Sequence, residues 1–124
     1  MRISYWTLRM SGILLAPKSP LACDRQALTT EQRKRHFEIL GPHLRSRLRR
    51  VHELADGYEF EFPGDAETFE LVADWASGER LCCPFFQIDL EPGRQAGTLW
   101  LRLTGQEGAK RVIRSELSHF FEAE

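Results

Sequence analysis

Glu79-Arg80-Leu81-Cys82-Cys83-Pro84-Phe85-Phe86 is the stretch that decides how the chain is read. A helical pattern runs into it and a strand pattern runs out of it. The residue before a proline avoids the α region, so the helix should stop by about Cys82. Two of the three cysteines lie there side by side.

Upstream of it, Phe69, Val72, Ala73 and Ala76 mark one helix face, widened by Leu71 and Trp75. Asp65 is the expected N-cap, with Glu67 in the first turn, and Gly78 weakens the last turn. Before that helix, Tyr58, Phe60 and Phe62 alternate with Glu59 and Glu61. Together with Val51–Leu54 they predict a hairpin in which Gly57 supplies a positive φ. Further upstream, Thr29 and Gln32 predict a capping box. Phe37, Leu40, Leu44 and Leu48 then form one stripe, which keeps its phase across Gly41-Pro42. This predicts one kinked helix. Downstream, Phe86, Ile88 and Leu90 predict a third strand, and Leu99, Leu101 and Leu103 a fourth. Thr104–Glu107 reads as a second capping box, and Ala109 to Phe120 as an amphipathic last helix.

The expected fold is therefore α+β, ordered helix-(strand-strand-helix) twice. Each hairpin has one apolar face and each helix one apolar stripe. Burial is most economical in a four-stranded, largely antiparallel sheet with the helices on one face. At 124 residues the chain reads as a single domain, residues 29–124, preceded by an extended segment, residues 1–28. Ile13 to Leu15 could lie on the core, and Met10 could start translation in place of Met1. Strand order and oligomeric state are not readable.

The net charge is −1, which gives no global field to attract nucleic acid or a membrane. No run of residues is long enough to span a bilayer. Met1 to Cys23 faintly resembles a lipoprotein leader, but Arg9, Pro17 and Lys18 break its apolar run, and Pro20 sits where such a site wants an aliphatic residue. From Thr30 to Arg50 seven Arg or Lys face two Glu, so the first helix carries a basic face. An odd number of cysteines cannot all pair within one chain, and neighbouring cysteines make a strained disulfide. Free thiols in a reducing cytoplasm are the expectation.

Thiolates are the ligands of soft ions such as mercury, arsenic(III) or zinc. At a helix end before a proline, the backbone can turn both sulfurs of Cys82 and Cys83 together. Cys23 is the one remaining thiol that could complete a trigonal metal site. Glu79 and Arg80 are candidates for its surroundings: Glu79 as a proton acceptor, Arg80 as a counter-charge. The four histidines, His36, His43, His52 and His119, follow no ligand spacing and read as surface or satisfied side chains. Three functions stay open. The first is a small thiol protein that binds a soft metal or metalloid ion through Cys23, Cys82 and Cys83. The second is an interaction module, for protein or nucleic acid, that uses Arg45, Arg47, Arg49 and Arg50, with structural cysteines. The third is a thiol redox enzyme.

The octapeptide, with Trp100-Leu101-Arg102-Leu103-Thr104-Gly105 and Gly108-Ala109-Lys110, resembles a group of small uncharacterised bacterial proteins bearing an E-R-x-C-C-P-F motif. The resemblance runs roughly from Cys23 to Phe120 and includes the Asp56-Gly57-Tyr58 turn. It implies a cysteine shortly before the first helix, which Cys23 matches, and so strengthens the three-cysteine grouping. It implies no activity. Residues 1–22 look like an extension, and Gly78 departs from the helix former expected before the motif.

Overall fold

The structure, a computed structural model, describes residues 21–93 and 97–122. The questions of the leader, of Ile13–Leu15 and of the starting Met fall on residues 1–20, outside the described residues, as does most of the segment 1–28.

Helix α1 is a continuous run of three parts, Thr30–Lys34, Arg35–Leu40 and Gly41–Arg47. It begins with the expected capping box. The Thr29 hydroxyl accepts from Gln32 N at 3.1 Å, and Gln32 Oε1 accepts from Thr29 N at 2.8 Å. Pro42 falls inside a helix, where its missing N–H and its ring would clash with the turn before. The chain answers with a π turn over Arg35–Leu40, closed by Gly41 N–H donating to the His36 carbonyl. The break expected at Gly41-Pro42 is thus absorbed one turn earlier.

Strands β1 (Arg50–Leu54) and β2 (Gly57–Pro63) form the first hairpin. After helix α2 (Ala66–Cys82), strands β3 (Gln87–Pro92) and β4 (Thr98–Thr104) form the second. The sheet is antiparallel throughout, in the order β1-β2-β4-β3, with Phe60 opposite both Val51 and Leu101. Gly57 has no positive φ; among the described glycines Gly97 and Gly108 do. Gly57 lies within β2, between Leu54 and Thr104, and a Cβ there would stand 2.7 Å from Thr104 Cα. Close backbone approach, not turn geometry, requires glycine.

Tyr58, Phe60, Phe62, Leu99, Leu101 and Leu103 are all buried, on the face that the helices cover. The opposite face is polar. There Arg102 spans three strands, donating to Glu59 at 2.7 Å and to Glu91. The expected α+β sheet with helices on one face is what forms.

Asp65 caps α2 as expected, accepting from Thr68 N and Thr68 Oγ1. The buried face differs from the expected one. It consists of Thr68, Leu71, Val72, Trp75, Glu79 and Cys82, while Phe69 and Ala73 are exposed. Two polar side chains inside the stripe hide its phase from a search for apolar residues. Helix α3 (Ala109–Glu116) starts from Gly108 in the left-handed region at φ 97, without a side-chain cap, so the capping box expected at Thr104–Glu107 does not form. A 3-10 turn, Ser118–Phe121, follows it and seats Phe120 in the core. Among the described residues no helix is long and apolar enough to cross a membrane.

Candidate thiol site

The site is built where the end of α2 meets the segment before α1. Cys82 closes the helix, and Cys83 is its C-cap, with φ −126 and ψ 72, its N–H donating to the Glu79 carbonyl at 2.7 Å. That departure from helical geometry is what Pro84 demands. It swings the two neighbouring side chains inward together, and both residues are 1 % exposed. Asp24 N–H donates to the Cys82 carbonyl at 2.8 Å, and Leu28 is buried beyond a 3-10 turn, Arg25–Ala27. These contacts bring Cys23 over the pair. The ligand atoms of Cys23, Cys82 and Cys83 all lie within 4.8 Å of one another, and Cys23 is the partly exposed member.

The sequence predicts three free thiols, and the structure departs from that. Cys23 and Cys83 are joined as a disulfide, across a sequence separation of 60 and with Cα atoms 4.5 Å apart, inside the usual range for such bonds. The partner of Cys83 is thus the distant cysteine and not its neighbour. Cys82 remains as a buried free thiol. Burial pushes its pKa up to about 11, helped by the negative charges of Glu79 and Glu116 and opposed by Arg25. The folded chain holds this proton longer than the unfolded chain, so stability is full below the ordinary thiol pKa. It falls as pH rises from there toward 11. Alkylation of Cys82 in the native protein is therefore expected to be very slow at neutral pH and to accelerate only in strong base. Rapid labelling by iodoacetamide at pH 7, timed by mass spectrometry, would show the thiol to be open.

Glu79 is 2 % exposed and reaches away from solvent into the helix interface. Its Oε1 accepts from His36 Nε2 at 2.9 Å, and His36 is 3 % exposed. The imidazole stacks on Trp75, with ring centroids 5.4 Å apart and planes 16° apart. Its other edge rests on Gly78, where a Cβ would lie 2.6 Å from Nδ1. This explains the glycine just before the motif: the last turn of α2 gives up a side chain to seat a ring from α1. Among the described residues, His36 Nδ1 and Glu79 Oε2 are the buried side-chain atoms with no protein partner.

Arg80 lies on the exposed side of α2, and the cation whose charge reaches Cys82 is Arg25. His43, His52 and His119 do not join the sulfurs; the group of potential metal ligands among the described residues is the three cysteines alone. Sequence reading missed His36. Two signals could have found it: its spacing of four from Leu40, and of eight from Leu44, places it in the buried stripe, and a glycine interrupts the facing helix.

Comparison of the chain with protein-family models, with curated proteins and with solved structures found no match.

Proposed function

We propose that the reduced protein binds a soft metal or metalloid ion through Cys23, Cys82 and Cys83, with trivalent arsenic as the best-suited member of that class. The convergence of three sulfurs within 4.8 Å carries the reading. Two sulfurs bound to one ion at about 2.3 Å can lie no more than about 4.6 Å apart, so once the disulfide is opened small side-chain rotations would suffice.

Charge selects among the ions named by the ligand type. A divalent ion such as zinc on three thiolates leaves a net negative centre, buried beside the Glu79 carboxylate, and desolvated charge is costly. Zinc also favours a fourth ligand, and no histidine joins the group. Arsenous acid avoids both difficulties. As(OH)3 and three thiols give three As–S bonds and three waters, so each thiol proton leaves with a hydroxide and the product is neutral. A thiol held protonated by burial, as Cys82 is, suits that exchange. Mercury(II) would need only two of the sulfurs. The reading places the protein in a reducing compartment such as the cytoplasm, in sequestration, transfer or sensing.

The basic-face alternative finds less support. Arg45 Nε donates to the His119 carbonyl, Arg47 donates to Thr68 and pairs with Glu67, Arg49 donates to the Gly97 carbonyl, and Arg50 pairs with Glu61. All four guanidinium groups are engaged within the chain. The redox-enzyme alternative lacks a lowered thiol pKa at Cys82.

Titration of the reduced protein with arsenite, followed by native mass spectrometry, tests the proposal. One arsenic per chain is expected, and Cys82→Ser should weaken binding by at least the 10- to 100-fold typical of losing a mere outer partner of a metal site. Equal affinity in Cys82→Ser would remove the three-sulfur site.

A further inference from the structure

We propose, resting on the reading of the site just given, that the bond between Cys23 and Cys83 is a redox gate: closed, it excludes the ion, and a dithiol reductant opens it. The same sulfurs serve both states, since the bond engages two of the three that converge. With the bond formed, Cys82 alone remains, sealed at 1 % exposure, and one enclosed sulfur is a poor site for any thiophilic ion.

The backbone is arranged so that the change stays local. Asp24 N–H on the Cys82 carbonyl ties the two sides of the bridge together, Cys83 N–H on the Glu79 carbonyl fixes the end of α2, and neither hydrogen bond involves a sulfur. Opening the bond should therefore leave the three side chains facing one another. Access is one-sided: Cys23 is partly exposed while Cys83 is sealed, so an incoming thiolate reaches the bond at Cys23. The Cys82 thiol is enclosed at 1 % exposure, out of reach of an external disulfide, which favours re-formation of the Cys23–Cys83 pairing over the two alternatives.

The chemistry balances with one external couple. A thiolate of the reductant attacks Cys23 Sγ, the Cys23–Cys83 bond breaks, and Cys83 leaves as a thiolate that takes up a proton. The reductant's second thiol then attacks its own sulfur in the mixed disulfide. Cys23 is released as a thiol, and the reductant departs as a cyclic disulfide. Two electrons and two protons pass from the dithiol to the protein. A small disulfide oxidant runs the change in reverse and becomes two thiols.

The test compares full-length protein treated with dithiothreitol or with glutathione disulfide, each freed of reagent and mixed anaerobically with arsenite. Native mass spectrometry counts bound arsenic, and peptide mapping locates the disulfide. The proposal expects one arsenic on the reduced chain, none on the oxidised chain, and a Cys23–Cys83 link in the latter. Equal loading of both forms would overturn the gate and leave the ion site standing. No loading of either form would overturn both. Cys23→Ser supplies an independent arm. It cannot form the gating bond, so its residual two-sulfur uptake should be the same before and after treatment with glutathione disulfide. Loss of that uptake on oxidation would overturn the assignment of the gate to this pair.

Discussion

Replacing His36 with leucine should lower the free energy of unfolding by about 1–3 kcal/mol, the cost of leaving a buried polar group without its hydrogen-bond partner. Among the described residues the imidazole is the one hydrogen-bond partner of the Glu79 carboxyl group, and both side chains are almost wholly enclosed. Leucine fills much of the space but donates nothing, so it leaves a carboxylate in hydrocarbon with neither oxygen bonded. Loss of the stack on Trp75 adds to the effect. The paired variant His36→Leu with Glu79→Met should recover most of the loss, because removing both partners removes the unmet demand. Urea unfolding of the two single variants and the double variant measures the coupling directly. Simple addition of the single losses would show that the two side chains do not depend on each other. Gly78→Ala approaches the same contact from the other helix. Alanine is about 1 kcal/mol better than glycine in a helix interior, yet its Cβ would meet Nδ1 at 2.6 Å. A net loss of stability is expected; a gain would mean the ring is not seated there.

Reducing the Cys23–Cys83 bond should cost about 4 kcal/mol of stability, the chain-entropy estimate for a loop of this length. The link joins residues 60 apart and fastens the segment before α1 to the end of α2. Without it the unfolded chain regains that freedom, while the folded chain keeps Leu28 in the core and Asp24 bonded to Cys82. Urea midpoints with and without reductant give the difference, with Cys23→Ser as a control that should be insensitive to reductant. Coincident midpoints for the wild type would mean that the bond does not persist in solution. A cost of this size matters to the proposed function. An ion that binds only the folded form of the reduced protein adds stability set by its concentration relative to its Kd, and so offsets part of that cost.

Much of the architecture was legible because local signals agreed with burial. The alternation at Tyr58–Phe62 and Leu99–Leu103, the caps at Thr29 and Asp65, and the stop at Pro84 each act within a few residues, and each holds. The cysteine grouping was legible for a different reason: thiols are rare, and the third had few other places to go. What was hidden depended on distance. No spacing rule ties Cys23 to Cys83 rather than to Cys82. Nothing near Glu79 reveals that a histidine 43 positions earlier faces it. The buried face of α2 is hard to phase from sequence because Thr68 and Glu79 are polar and yet enclosed, each bonded to a side chain from elsewhere in the chain, Thr68 to Arg47 and Glu79 Oε1 to His36. Gly57 was assigned to turn geometry because the strand that crowds it, β4, lies some forty residues on.

The π turn over Arg35–Leu40 carries one residue more than an α-helical ladder needs. Each residue of a helix advances it by about 100°, so Thr30–Lys34 and Gly41–Arg47 are out of step and no single straight cylinder would reproduce both. A designer who copied this fold with an ideal rod would have to drop one position. Either the ring of His36 would then swing off Gly78, or Leu44 would leave the core. The surplus residue is what lets one helix face two neighbours whose demands differ by a fraction of a turn.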